Sequence, residues 1–210
     1  MNTANTNPVT LALAKGRISE EFFAKYSSKV KAVNIESRKL IYQIDHIKVI
    51  LVKPVDVPTY VAAGVADLGI VGRDVILESG KSFYELNELD FSKCRMSIAG
   101  FDENINLKGS ITIATKYPNI CHMFFPNART IYLNGSVELA PIMELSDVIF
   151  DIVETGATLK ENGLVVIKDV IDINPVLIAN KASYKFNRVT INEISALFNP
   201  EEIEVLPCTK

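Results

Sequence analysis

Short runs of consecutive apolar residues recur along the chain, each bounded by Gly, Pro, Asn or Asp, with helix-type segments in the gaps. The runs Val9–Ala14, Lys48–Val52, Asp67–Val71, Arg95–Gly100, Ser110–Ala114, Thr130–Leu133, Asp147–Val153, Gly163–Ile167 and Pro175–Ala179 predict β-strands. Several are apolar at successive positions, as strands covered on both faces are. Ser19–Tyr26 predicts a helix that opens with Ser19, Glu20 and Glu21, residues that suit the positive end of the helix dipole. Val57–Gly64 predicts a second, with Asp56 as N-cap, Pro58 in the first turn and Gly64 closing it. Asp74–Ser79 ends at Gly80, and Thr190–Phe198 stops before Pro200. Alternation of this kind is the mark of an α/β fold with a mostly parallel sheet. No internal repeat or low-complexity stretch is visible in the sequence.

Composition narrows the class. The 210 residues include 22 basic and 25 acidic side chains, a formal net charge of −3, and are 48% hydrophobic and 22% charged. That balance excludes a disordered chain and an electrostatic nucleic-acid binder, which needs excess cations to displace counterions. No apolar run reaches the ~18–20 residues that span a bilayer, and Met1–Thr10 lacks the basic and apolar regions of a secretory signal. Cys94, Cys121 and Cys208 are odd in number and far apart, which suits buried thiols in a reducing compartment. The expectation is a cytoplasmic globular protein with neither nucleic-acid nor membrane partners.

The stretch Asp147 to Leu159 carries the most chemistry. A buried strand runs into Asp151 and Glu154, then Thr155-Gly156-Ala157-Thr158, then a helix-capable run. Small residues leave backbone N–H groups accessible, Gly156 can take a left-handed turn, and the threonine hydroxyls add donors. Together they make a cradle fit for a phosphate monoester. Asp151 and Glu154 could hold ribose hydroxyls or, through water, a metal ion. The same residues also read as an ordinary strand–turn–helix with threonine caps. Near the N-terminus, Lys15-Gly16-Arg17 places cations at the carboxyl end of a buried strand, where α/β sheets bind ligands; a solvated basic turn would look alike. Arg38 has no pattern of its own and reads as a surface charge. Asp56 to Asp74 holds Gly64, Gly69 and Gly72 and reads as close αβ packing or as a nucleotide-side wall. Neither a P-loop nor a dinucleotide fingerprint is present. His46 and His122 lack a nucleophile or carboxylate context and read as structural. An activated protein nucleophile is therefore not expected.

The chain resembles the ATP phosphoribosyltransferases in their short catalytic-subunit form. The resemblance rests on Lys15-Gly16-Arg17, Glu36-Ser37-Arg38-Lys39-Leu40, Asp56–Asp74 and Ile113-Ala114-Thr115-Lys116-Tyr117-Pro118. Above all it rests on Gly135-Ser136-Val137-Glu138-Leu139-Ala140-Pro141 leading on to Asp151-Ile152-Val153-Glu154-Thr155-Gly156-Ala157-Thr158-Leu159. Two positions depart from the family pattern. Glu144 stands where glycine is usual, and Ala14 where proline or serine is common. If the glycine is needed for a positive φ, Glu144 strains its turn.

The resemblance implies a bilobed, type II periplasmic-binding-protein-like α/β fold with the active site in a cleft. Composition suggests where the lobes meet: the polar segment Asp102–Gly109, between two strands, reads as a link, with a second crossing near Ile173–Lys181, so that residues 1–101 with 180–210 would form one lobe and 102–179 the other with the phosphate loop. The resemblance implies transfer of the 5-phosphoribosyl group of 5-phosphoribosyl 1-pyrophosphate (PRPP) to N1 of ATP, the first step of histidine biosynthesis, with Mg²⁺ held mainly by substrate phosphates. Arg17, Arg38 and Lys15 carry over as leaving-group stabilisers, and Asp151 and Glu154 to Thr158 as the PRPP site. Asp67, Asp74 and Tyr117 carry over to the ATP side. The short form implies a histidyl-tRNA-synthetase-like regulatory subunit and a homodimer within a hetero-oligomer. Two other classes share parts of this pattern: a non-enzymatic solute binder on the same fold, and a phosphoribosyltransferase with another acceptor base.

Overall fold

A computed structural model describes residues 8–26 and 38–198; Glu36, Ser37, Pro200 and Cys208 lie outside them. In chain order the elements are β1 (Val9–Ala14), α1 (Arg17–Lys25), β2 (Ile41–Ile44), β3 (Ile47–Val52), α2 (Val57–Ala62), β4 (Leu68–Gly72), α3 (Arg73–Ser79) and β5 (Tyr84–Glu88). There follow β6 (Cys94–Gly100), β7 (Thr112–Thr115), α4 (Pro118–Phe124), β8 (Arg129–Tyr132), α5 (Leu139–Ile142), β9 (Val148–Val153), α6 (Ala157–Glu161), β10 (Val165–Ile173), β11 (Pro175–Ala179), α7 (Lys181–Phe186) and α8 (Arg188–Leu197).

The chain divides into two compact units. The first takes the described residues of Met1–Val75, Lys81–Ser92 and Pro175–Lys210, and the second Ile76–Gly80 and Lys93–Asn174. This differs from the expected boundaries at 101/102 and 179/180. β6 pairs with β9 and β10 in the second sheet, while β11 pairs with β4 and β5 in the first. β11 is an uninterrupted apolar run and β6 mixes apolar residues with Arg95 and Ser97, so composition marks no break beside them, and the polar stretch Asp102–Gly109 lies inside the second unit.

The sheets are mixed, not mostly parallel. The first has the order β2-β3-β1-β4-β11-β5 and the second β10-β6-β9-β7-β8. In each, three neighbouring strands run parallel (β3, β1, β4; β8, β7, β9) and the next two are antiparallel. Parallel neighbours need a crossover segment, and α2 and α5 stand before β4 and β9 as such segments do. β2 and β3 form a hairpin through Asp45–His46, with Asp45 at φ 48°, a conformation Asp tolerates. β2 and β5 escape prediction because they are exposed edges with polar or charged residues, as edge strands commonly are.

Read from one edge to the other, the two sheets follow the same plan, and the likeness extends to single hydrogen bonds. Asp67 Oδ2 accepts from the Thr10 N–H at 2.8 Å while the Asp67 N–H donates to the Thr10 carbonyl at 2.9 Å. Asp147 and Thr112 do the same at 2.7 and 3.0 Å. The turns before β4 and β9 also match: Val65 and Ala66 N–H donate to the Tyr60 carbonyl, and Leu145 and Ser146 N–H to the Ala140 carbonyl. The repeat that the sequence conceals is therefore present in the backbone.

The first unit's core joins Leu11, Leu13, Phe22, Leu68, Ile70 and Leu177 to Ile191 and Ile194 of α8, all buried. The Tyr26 hydroxyl donates to the Phe198 carbonyl at 3.1 Å, tying α1 to the end of α8. In the second unit the alternation of β9 divides the core. Val148 and Phe150 face a cluster with Met96, Ile98, Ile113 and Ile120. Ile149 and Val153 face a smaller cluster with Ala99, Ala114, Ala140 and Leu159. Helix α2 has no side-chain cap from Asp56, because a short 3₁₀ turn (Pro54–Asp56) precedes it.

Glu144 occupies the turn position that Gly64 fills in the first unit, and both have positive φ, 57° and 70°. The missing glycine therefore does put an L-residue in the left-handed region. Glu144→Gly is expected to stabilise the protein by about 0.5–1 kcal/mol, the relieved strain less the greater freedom of glycine in the unfolded chain. Urea unfolding of both proteins measures it; equal midpoints would show that the turn bears no strain.

Candidate active site

β9 alternates between its two faces, so Asp151 lies on the same side as Ile149 and Val153. This is the face of the smaller cluster, and its alanines leave room above the sheet. A cavity of about 260 Å³ opens there, lined by Ser97, Ala99 and Glu138, by Ile149 to Val153 except Phe150, and by Glu154 to Leu159. The whole predicted PRPP segment, Asp151 with Glu154, Thr155, Gly156, Ala157 and Thr158, is thus gathered around one cavity.

Local chemistry shapes the loop. Gly156 has φ 76° and ψ 8° and is the residue from which α6 starts. The Ala157 N–H donates to Thr155 Oγ1 at 3.3 Å, and the Lys160 N–H to the Gly156 carbonyl at 3.1 Å. The N–H groups of Thr158 and Leu159 also fall in the first turn, where a helix supplies no acceptor, and both residues line the cavity. Glu154, Thr155, Ala157 and Thr158 are exposed, while Leu159 is buried and fastens the loop to the smaller core cluster. Asp151 is half-buried and its Oδ1 accepts from the Ile152 N–H at 2.8 Å, which fixes the carboxylate.

Sequence reasoning left Ser97, Ala99 and Glu138 out of this site. Ser97 lies opposite Asp151 in the β6–β9 ladder, and its buried hydroxyl donates to Asp169 Oδ1 at 2.7 Å. Arg95 Nε donates to the same oxygen at 2.8 Å. Only the strand pairing reveals that neighbourhood. Glu138 was within sight, in the run that ends at Pro141, but nothing in its spacing marked it as a cavity residue.

The remaining predicted residues fall at several places. In the first unit, β1 delivers Lys15 and Gly16, with Gly16 at φ 105°, and α1 begins at Arg17. Lys15 is exposed; Arg17 is partly exposed, its Nη2 donating to the Ser92 carbonyl at 3.0 Å. Arg38 is exposed on the approach to β2. Asp67 is not grouped with these cations. Its bonds to Thr10 place it at the starting end of β1, the length of the strand away from Lys15, so its carboxylate serves the sheet. Asp74 is buried in the first turn of α3, folded against Gly72 so closely that a β-carbon on Gly72 would collide with its carboxylate. Tyr117, in the second unit, is buried in the larger core cluster, and its N–H donates to Thr115 Oγ1 at 2.9 Å.

Other candidates for chemistry are quiet. Burial pushes the Cys121 thiol above its ordinary pKa, and the Glu78 carboxylate adds to the shift while the Thr130 hydroxyl opposes it, so it is a neutral core thiol. Cys94 is half-buried. His46 and His122 are exposed, in the β2–β3 turn and the last turn of α4. Among the described residues, no helix is long and apolar enough to cross a membrane.

Two α/β units on a common plan, one of them with a phosphate-type cradle after its central strand, define a type II periplasmic-binding-protein-like fold. The alkanesulfonate-binding protein SsuA of Xanthomonas axonopodis pv. citri superposes with a TM-score of 0.60 at 10% identity, over 93% of this chain and 73% of its own. The chain belongs to the ATP phosphoribosyltransferase family, whose family model (HisG) matches residues 53–199. It is 47% identical over 206 residues to the ATP phosphoribosyltransferase of Clostridioides difficile strain 630, covering 93% of this chain and 98% of that one. The ATP phosphoribosyl transferase (HisG:HisZ) complex from Thermotoga maritima contains a chain 36% identical, with a TM-score of 0.77 over 90% of this chain and 96% of that one.

Gly156→Ala tests the loop. The new β-carbon meets only Val153 Cγ1, at an ordinary 3.8 Å, so the effect is backbone strain. A loss of about 1 kcal/mol, or roughly 2–4 °C in melting temperature, is expected in a thermal scan, and an unchanged midpoint would mean that the loop relaxes freely.

Proposed function

We propose that the cradle after β9 holds the 5-phosphate of PRPP and that Asp151 holds its ribose hydroxyls. As an ATP phosphoribosyltransferase, the chain transfers the 5-phosphoribosyl group of PRPP to N1 of ATP. The products are N1-(5-phosphoribosyl)-ATP and pyrophosphate, in the first step of histidine biosynthesis. The observation that carries the site assignment is the convergence of Asp151 and Glu154 to Thr158 on one cavity, with Gly156 in the left-handed conformation.

The chemistry asks for little proton transfer. Adenine N1 presents a lone pair and no proton, so it attacks the anomeric carbon without a general base. This agrees with a site built from amides, hydroxyls and carboxylates. As the bond to pyrophosphate breaks, positive charge develops on the ribose ring and negative charge on the leaving group. Asp151 lies beside the former; Lys15, Arg17 and Arg38 are the cations assigned to the latter, arginine through its planar fork and lysine as a point charge. Asp74 and Tyr117 are assigned to the ATP side, both requiring a shift of their surroundings to reach a ligand, since both are buried.

Mg²⁺ belongs to this reading as a companion of the substrate. Among the described residues, no group of three His, Cys, Asp or Glu side chains is placed to hold a metal. Asp151 and Glu154, at the cavity, would meet the hydration shell of an ion carried on phosphate oxygens and water. When bound, it neutralises pyrophosphate charge. The Thermotoga maritima chain stands in a HisG:HisZ complex, which supports a hetero-oligomer for this chain; the resemblance adds, as part of this proposal, a histidyl-tRNA-synthetase-like regulatory subunit, a homodimer within the assembly and a cytoplasmic location.

Purified chain with such a subunit, given ATP, PRPP and Mg²⁺, is expected to release pyrophosphate only when both substrates are present, with a phosphoribosyl-ATP adduct seen by mass spectrometry. Arg38→Ala is expected to lower turnover by roughly 10²–10³-fold with an unchanged melting temperature. Retention of both the rate and PRPP affinity would remove Arg38 from the site. Size-exclusion chromatography of the chain with and without the subunit is expected to show a larger assembly, and co-injection without a shift would refute the partner.

A further inference from the structure

We propose that Glu21 and Ser92 are positioning residues that set the plane of the Arg17 guanidinium; the proposal rests on the reading of Arg17 as a leaving-group stabiliser. Arg17 and Glu21 stand one helical turn apart on α1 and so share a face. Together they grip both backbone groups of one residue. Glu21 Oε2 accepts from the Ser92 N–H at 2.7 Å, and Arg17 Nη2 donates to the Ser92 carbonyl at 3.0 Å. The ring closes between Arg17 Nε and Glu21 Oε1 at 3.8 Å.

Ser92 bears unusual costs for a loop residue. It has φ 48°, in the left-handed region, and it is 9% exposed with its hydroxyl buried and lacking a hydrogen-bond partner. Glycine would remove both costs. Strained residues persist where their surroundings over-determine them, and they gather at functional sites. Here the surroundings are the pair of α1 side chains. The Arg17–Glu21 pair itself is too exposed, at 36% and 42%, to contribute much stability. Its effect is directional. The five N–H donors of a guanidinium are rigidly coplanar, so pinning Nη2 to the Ser92 carbonyl, with Nε turned toward Glu21, orients the whole fork. Preorganisation of that kind separates a catalytic cation from a merely nearby one.

The test uses the chain with its regulatory subunit, measuring kcat, the KM values for ATP and PRPP, inhibition by pyrophosphate, and melting temperature. Glu21→Ala is expected to lower kcat about tenfold and to weaken pyrophosphate inhibition about tenfold, with the KM for ATP unchanged. Glu21→Gln, whose amide oxygen still accepts from the Ser92 N–H, is expected to stay within about threefold of wild type. Ser92→Gly keeps the N–H and carbonyl that Glu21 and Arg17 hold and removes the left-handed strain, so it is expected to melt higher. In an Arg17→Ala background, Glu21→Ala should have no further effect, because the two act as a unit. Wild-type kinetics for Glu21→Ala, or an equal loss with and without Arg17, would overturn the positioning role while leaving the Arg17 reading intact. Wild-type kinetics for Arg17→Ala would instead overturn that reading, and the positioning role with it.

Discussion

In both sheets an aspartate at the foot of one strand binds the backbone of a threonine near the start of its parallel neighbour, Asp67 to Thr10 and Asp147 to Thr112. A parallel pair has no tight turn to fix its register, and a slip of one residue would send every side chain to the opposite face. The carboxylate supplies the missing stop. With Asp147 locked, β9 has one alignment against β7, and that alignment decides which residues reach which side. Phe150 enters the larger core cluster, and Asp151 turns toward the cavity. The loop Glu154–Thr158 follows directly, since it begins where β9 ends. The site's geometry is thus inherited from a hydrogen bond at the far end of the strand.

What the sequence reveals follows from where information is local. Apolar runs such as Val9–Ala14 and Pro175–Ala179 are read to the residue because their burial on both faces is written in consecutive positions. The conformation of the Glu154–Thr158 loop is equally legible, since it depends on small residues and a positive φ at one glycine. Asp67 shows the limit. An acid beside a glycine-rich strand looks like a ligand-binding group until the pairing partner is known, and the partner, Thr10, is remote in sequence. Ser97 makes the same point from the other side, a residue with no motif brought to the cavity by its pairing with Asp151. The repeat between the units is invisible for a related reason. It is preserved in hydrogen bonds of the backbone, which most side chains can accommodate, while little beyond the Thr and Asp need be shared.

Strained backbone is concentrated rather than scattered. Among the described residues the non-glycine positions with positive φ are Asp45, Ser92, Ser136 and Glu144. Asp45 is an ordinary hairpin turn. Ser136 and Glu144 flank α5, which has Glu138 as its N-cap and Ala140 in the cavity-side core. Ser92 is held by Arg17 and Glu21. Left-handed serine and glutamate cost stability that glycine would restore; Ser92 is bonded to Arg17, and Ser136 lies two residues before Glu138, which lines the cavity. Gly64, in the position matching Glu144, shows that the fold itself accepts glycine there.

Apart from Ile76–Gly80, the second unit is one continuous stretch, Lys93–Asn174. Its first and last strands end side by side, Cys94 facing Ile173 across the β6–β10 ladder. The first unit is closed at the same place, the Leu89 N–H donating to the Pro175 carbonyl at 2.8 Å. In topological terms the portion that carries the cavity is a cassette spliced into a host whose cut ends are already held together. Such an architecture is open to exchange: a different ligand module with equally adjacent termini can be grafted at Ser92 and Pro175 without lengthening the host or rerouting a strand.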